Sequence, residues 1–288
     1  MTGHENRAAG TVVLIHGLWM TPRSWEKWAE RYRAQGYQVL APAWPGLDGG
    51  ADEIRRDPAR VSGLGLNEVI ARYEEVIRSL DEPPVIVGHS FGGAITQVLL
   101  DRGLGSVGVA IASAAVKGVL PLPYSTLKSA WPLLRNPAKR NEAITLTPRQ
   151  FHYAFTHTLS EEESAAAYER YHVPGSARLL YQAALANFNP QAATKISAPE
   201  RREAPLLFIA ATDDHIAPPK VNKANVRLYR KSPAVTEYRE FPGRTHFIVG
   251  QDGWEEVADY ALDWAARHAP ARARLRLLKE PGQQEGIR

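Results

Sequence analysis

The chain has 288 residues, of which 44% are hydrophobic and 23% charged, with no cysteine and a net charge of +4 at pH 7. That length and balance suit one large α/β domain or two small ones, and they exclude collagen-like, coiled-coil and wholly disordered chains; without cysteine there is no disulfide, thiolate nucleophile or Cys-ligated zinc. Residues 271–288 hold five basic and two acidic side chains, a net +3, so the rest carries only +1, which is no electrostatic footprint for nucleic acid and leaves a solvated basic tail.

Thr11-Val-Val-Leu-Ile is a short β-branched run that reads as a buried strand ending at His16-Gly17. Thr21 as N-cap and Pro22 at the first helical position open a helix carrying Trp25, Trp28, Ala29 and Tyr32, closed by Gly36. A second strand starts at Gln38 and runs into the turn-rich stretch after Pro45. Leu66, Val69, Ile70, Tyr73, Val76, Ile77 and Leu80 give one apolar helical face. Residues 84–88 form the next strand, 91–100 a helix and 107–111 another strand. Strands alternating with helices predict a mainly parallel sheet covered on both faces.

The rhythm breaks after Ser113, and the next strand begins at Pro205. This interval far exceeds the roughly 30 residues of a whole βαβ unit. Three helical pieces are predicted within it: one from Thr147-Pro148 with Phe151, Phe155 and Leu159, one opened by the capping box Ser160-Glu-Glu-Glu163, and one with Leu179, Leu180, Ala183 and Ala184. Together they make an inserted helical lid. The expected organisation is a core from residues 1–115 and 201–270, a lid from 116–200 and a basic tail from 271–288. After the lid, a helix over 221–230, a strand over 235–241 and a final helix over 252–268, with Asp252 and Glu255 able to cap its start, complete the core.

Gly88-His-Ser90-Phe-Gly92 stands at a strand-to-helix junction. The bare pattern arises by chance in about 7% of chains of this composition, so its context carries the weight. A serine on such a sharp turn is strained outward, and the flanking glycines let backbone approach closely. Its hydroxyl needs a base. Of nine histidines, His4 and His268 are expected to be solvated, His152, His157 and His172 belong to the lid, and His16 and His89 flank turns. His246 lies in the loop between the last strand and last helix, at the carboxyl edge of the sheet where Ser90 also sits. Asp213 and Asp214 stand at that same edge as candidate partners for the imidazole.

With these residues assembled, the chain resembles the α/β-hydrolase superfamily over nearly all of residues 11–268. The order Ser90, Asp214, His246 is that family's order; Gly88–Gly92 resembles its nucleophile elbow, and Pro242-Gly-Arg-Thr-His246 its histidine loop. The family's Gly-x-x-Asp-x-x-Val-Pro register falls on Ala211-Thr-Asp-Asp214-His-Ile-Ala-Pro218 and favours Asp214. The resemblance implies an oxyanion hole from the backbone N–H groups of Leu18 and Phe91, with Trp19 as the substitute for Leu18. One departure is Ala43-Trp44-Pro45-Gly46, where the family often has Asp-Leu-Pro-Gly.

The implied activity is that of a serine hydrolase cleaving a carboxylic ester or lactone through an acyl-enzyme on Ser90. Carbon–carbon bond hydrolysis, a lyase or cyclase reaction on the same triad, or a non-turnover ligand receptor of this fold are the alternatives. Neither cofactor nor metal is expected. The expected partner is a moderately hydrophobic small molecule, with no nucleic acid; Tyr124, Trp131, Phe151 and Phe155 are candidates for the cavity wall. No apolar run approaches the roughly 18 residues of a membrane span, and the polar start lacks the features of a secretory leader. A cytoplasmic protein without a membrane partner is therefore expected, of undetermined oligomeric state.

Overall fold

The computed structural model describes residues 10–121 and 123–269; the first residues and the basic 271–288 tail lie outside the described residues. In chain order the elements are β1 (Thr11–Ile15), α1 (Glu26–Ala34), β2 (Gln38–Leu40), α2 (Ala51–Arg56), α3 (Leu66–Arg78), β3 (Val85–His89), α4 (Phe91–Asp101), β4 (Val107–Ile111), α5 (Tyr124–Leu134), β5 (Ala143–Ile144), α6 (Pro148–Phe151), α7 (Glu161–Tyr171), β6 (Gly175–Ser176), α8 (Ala177–Ala184), β7 (Leu206–Ala211), α9 (Pro219–Leu228), β8 (Thr236–Phe241) and α10 (Trp254–His268).

Six strands form one sheet in the order β2-β1-β3-β4-β7-β8, and every pairing is parallel. Because both faces are covered, the inner strands are buried at nearly every position and read as near-continuous apolar runs rather than alternating ones. Val12 and Leu14 of β1, Val107 and Val109 of β4 and Leu207 and Ile209 of β7 pack with Trp28 and Tyr32 of α1 and Val257, Ala261 and Trp264 of α10. The opposite face sends Val13, Ile15 and Ile86 toward α3 and α4, and Ala110, Leu206 and Phe208 toward Tyr229 at the end of α9. On α3, Leu66, Val69, Ile70, Tyr73 and Ile77 are buried, each such side chain stabilising the fold by about 1.5–3 kcal/mol.

The chain passes from β1 to β2 on one side and then to β3 on the other, so the sheet's switch point lies between β1 and β3. At that point a crevice opens beyond the strands' carboxyl ends. Ile15 is in register with Gly88, which brings His16-Gly17 beside the turn that carries Ser90.

Local departures from the predicted elements have physical causes. The Thr21 hydroxyl accepts from the Arg23 N–H as an N-cap should, but the first turn is a 3₁₀ segment, Pro22–Trp25, before α1 proper. The start of α10 has no side-chain cap; Gly253, in the left-handed region at φ 77°, precedes Trp254, so neither Asp252 nor Glu255 plays the expected role. His268, expected to be solvated, stacks on Trp264 at 4.2 Å and donates to its carbonyl oxygen at 2.8 Å.

Between β4 and β7 the predicted capping box forms at Ser160, and a second, not foreseen, forms at the predicted helix start Thr147, with Gln150 as its partner. α6 continues as a π-helical turn, His152–Thr156. Such widened turns re-aim side chains, and this one presents Phe155 to the core. α5 is not announced by periodicity, because Pro132 stands inside it and prolines precede it.

Candidate active site

Ser90 sits at the tip of the turn joining β3 to α4 with φ 58° and ψ −118°, a conformation that an L-residue holds only where its surroundings impose it. Here the surroundings are hydrogen bonds. Ser90 N–H donates to the Ile111 carbonyl at 2.9 Å, and the Ser90 carbonyl accepts from Gly93 at 2.9 Å and Ala114 at 3.0 Å. The glycines serve close approach: a Cβ on Gly88 would strike the carbonyl of Gly92, and one on Gly92 the carbonyl of Ile15. A Cβ on Gly17 would lie 2.9 Å from that of Ser90.

The loops after β7 and β8 are stitched together. Asp213 N–H donates to the Arg244 carbonyl at 2.9 Å, and Gly243 N–H to the Thr212 hydroxyl at 2.9 Å. That stitching sets Asp214 beside His246, both buried. His246 Nδ1 lies 2.7 Å from Asp214 Oδ2, and its Nε2 lies 2.9 Å from Ser90 Oγ. The other Asp214 oxygen accepts from Ile216 and Ala217 N–H at 2.7 and 2.8 Å. A carboxylate only accepts, so Nδ1 carries the proton and Nε2 is left to accept from the serine hydroxyl. Asp213, the neighbouring candidate, has its side chain against Thr212 instead.

Two further histidines shape the site without titrating near neutrality. Burial pushes His16 down to about 4; its Nδ1–H donates to the Gly17 carbonyl at 2.9 Å, and its ring stacks on Trp44 at 4.7 Å. Trp44 thus occupies the position where the resemblance led one to expect a different pattern, and it braces the His16-Gly17 turn. Burial, reinforced by His246, holds His89 well below the ordinary histidine value. His89 donates Nε2–H to the His246 carbonyl at 2.8 Å, with the two rings 4.8 Å apart. From the residues between β4 and β7, Phe155 meets His246 in a T-shaped ring contact at 5.0 Å, and its carbonyl accepts from Phe247 N–H at 3.1 Å.

A cavity of about 230 Å³ opens on Ser90, bounded by Leu18, Trp19 and Phe91 at its floor and by residues of α5 and α8 above. None of its lining side chains is ionisable. Its hydroxyls other than Ser90 are engaged: Thr126 donates to the Ile216 carbonyl at 2.8 Å and Ser129 to that of His215 at 3.4 Å. Small residues, including Ala114, Ala130, Ala183 and Ala217, create the space. The aromatic candidates for this wall are corrected by the structure: Tyr124 and Trp131 point to solvent, while Phe151 and Phe155 are buried and stacked on one another at 4.9 Å. Among the described residues, no three His, Asp or Glu side chains gather as a metal-binding set.

A parallel sheet with its switch-point crevice facing a Ser–His–Asp chain is the architecture of the α/β hydrolases. A family profile described as the alpha/beta hydrolase family matches residues 12–260, and the chain belongs to that family. Among solved structures it is similar to the monoacylglycerol lipase of Paleococcus ferrophilus (23% identity, 90% of this chain and 95% of that one, TM-score 0.63). It is also similar to a polyneuridine aldehyde esterase variant (20% identity, 89% and 99%, TM-score 0.64) and to a pyrethroid hydrolase from Sphingobium faniae (18% identity, 91% and 99%, TM-score 0.63). At these identities the likeness is one of fold. No curated protein is significantly similar in sequence.

Proposed function

We propose that the protein is a serine hydrolase that cleaves an uncharged carboxylic ester or lactone. The observation that carries this reading is the continuous chain from Asp214 through His246 to Ser90, with contacts of 2.7 and 2.9 Å. Ser90 Oγ attacks the carbonyl carbon as its proton passes to His246 Nε2, and Asp214 stabilises the imidazolium. The carbonyl oxygen becomes an oxyanion that accepts from the backbone N–H groups of Leu18 and Phe91; losing one such donor costs about 3–4 kcal/mol. His246 returns the proton to the departing alkoxide, leaving an acyl-enzyme on Ser90. Water then attacks the acyl carbon, again losing its proton to His246, and the acid leaves as Ser90 regains its hydrogen.

The cavity's lack of ionisable lining supports an apolar acyl group, since a buried unpaired charge costs several kcal/mol or more. The residues between β4 and β7 act in this reading as a lid that roofs the cavity. A fluorophosphonate probe is expected to label the protein once, at Ser90, and to leave a Ser90→Ala variant unlabelled. Equal labelling of both would overturn the assignment.

A further inference from the structure

Seven large hydrophobic residues are exposed among the described residues, and six of them lie on one region: Leu120, Tyr124, Leu127, Trp131, Leu185 and Phe188. The exposure is substantial, at 77% for Leu120, 79% for Tyr124, 64% for Trp131 and 85% for Phe188. Tyr124, Leu127 and Trp131 follow at i, i+3 and i+7 along α5, so they share one outward stripe. Hydrogen bonds hold the other members beside it. Tyr181 of α8 donates to the Leu134 carbonyl at 2.8 Å. Asn187 donates to the Val119 carbonyl at 3.0 Å and accepts from Gly118 N–H at 2.6 Å, which fastens Phe188 close to Leu120. The patch borders the cavity, because Leu127 also lines its wall.

Charge around the patch is predominantly basic. Residues 116–145 contain Lys117, Lys128, Arg135, Lys139 and Arg140 against a single acid, Glu142, which pairs with Lys139 at 3.4 Å. Residues 177–198 contain Arg178, which pairs with Glu68 at 3.3 Å, and Lys195, and no acid of their own. Lys117 spends its ammonium on the backbone carbonyls of Ala186 and Asn189, at 3.0 and 2.9 Å, directly beside Phe188. Contiguous exposed apolar patches rimmed by polar residues mark protein or membrane interaction sites.

We propose that this face docks on an anionic lipid surface, with Leu120, Tyr124, Trp131 and Phe188 in the boundary between headgroups and acyl chains and the surrounding lysines and arginines against the headgroups. Aromatic side chains suit that boundary, and basic residues beside an apolar stripe draw it to anionic lipid. A second copy of the chain fits less well: a two-fold interface would set this basic rim against itself. No helix among the described residues is long and apolar enough to cross a membrane, so the docking is peripheral. The sequence expectation of no membrane partner rested on the lack of a spanning run, which does not bear on a face that lies along a surface. The proposal does not depend on which reaction Ser90 carries out.

The test is co-sedimentation of the full chain with vesicles of phosphatidylcholine alone and of equimolar phosphatidylcholine and phosphatidylglycerol. Binding to the anionic vesicles is expected, weakened by high salt. Trp131→Ser/Phe188→Ser should lower the affinity about tenfold or more, and Arg135→Glu/Arg140→Glu should lower it for anionic vesicles, with the thermal midpoint of each kept near that of the parent. Ser90→Ala should bind as the parent does. Absence of binding, binding indifferent to both double substitutions, or retention that requires Ser90 would overturn the proposal. So would a concentration-dependent dimer dissolved by Trp131→Ser/Phe188→Ser, which would make a second copy the occupant.

Discussion

His89 Nε2 donates to the main-chain carbonyl of His246 at 2.8 Å, so the residue preceding the candidate nucleophile holds the backbone of the candidate base. The ring of His89 is buried and kept neutral, which leaves it a fixed donor rather than a proton carrier. Replacing His89 with leucine should lower kcat about tenfold or more while KM changes little, because misplacing a base by a fraction of an ångström is costly. His89→Gln, which restores a donor, should recover part of the loss. Steady-state kinetics on a soluble ester, normalised to active sites titrated with a fluorophosphonate, separates this from simple destabilisation, which would lower the titrated fraction and leave kcat per active site unchanged.

The two neighbouring aspartates are separable. In Asp214→Asn the amide oxygen can still accept from Ile216 and Ala217, so the NH₂ group faces His246 Nδ1 and forces the proton onto Nε2. A loss in kcat of about 10⁴-fold is expected, as for the wrong tautomer in other triads. Asp213→Asn should leave kcat within about threefold, since its side chain accepts from Thr212 rather than from His246. Equal losses in both variants would contradict the assignment.

Acid should unfold the protein through its buried histidines. Burial lowers His16 from 6.5 to about 4 and His172 to about 3, and holds His89 well below its ordinary value. The unfolded chain therefore binds protons that the folded one refuses. Stability is full above pH 6.5 and falls as pH drops from there toward 4, His16 alone accounting for about 3 kcal/mol. Thermal midpoints measured across this range should show the decline. His172→Gln should flatten it, because glutamine can still accept from Leu146 N–H, now 3.3 Å from His172 Nε2, without taking up a proton.

Glycines near the elbow and far from it should differ in their tolerance. Gly92→Ala drives a methyl into the Ile15 carbonyl, rigid backbone at the centre of the sheet, and should cost about 3 kcal/mol or more in chemical denaturation. Gly103→Ala meets nothing within 4 Å but must hold φ at 71°, which should cost about 1–2 kcal/mol.

Cavity size should govern the acyl group. Ala183→Phe places a ring in the cavity wall; kcat/KM for octanoyl esters should fall about tenfold or more relative to acetyl esters, the cost of excluding part of an apolar chain. An unchanged ratio across a p-nitrophenyl ester series would move the acyl group out of this cavity.

Much of this molecule is written locally. β-branched runs such as residues 11–15 and 107–111, the capping boxes at Thr147 and Ser160, and the glycines around Ser90 act through sterics and hydrogen bonds within a few residues, and these survive in any tertiary setting. Strand-helix alternation then allows essentially one handedness of crossover, so Ser90, Asp214 and His246 all fall at the same edge of a parallel sheet. What sequence alone left open was which neighbour reaches which. The motif register already favoured Asp214 over Asp213; the tertiary fold decided that Trp44 stacks under His16, that His89 grips His246 through the main chain, and that Tyr124 and Trp131 face water instead of the cavity. Such contacts join residues tens to more than a hundred positions apart. They depend on loop stitching and helix rotation, which no local pattern encodes, because an apolar side chain looks the same in sequence whether it faces a core, a cavity or a lipid surface.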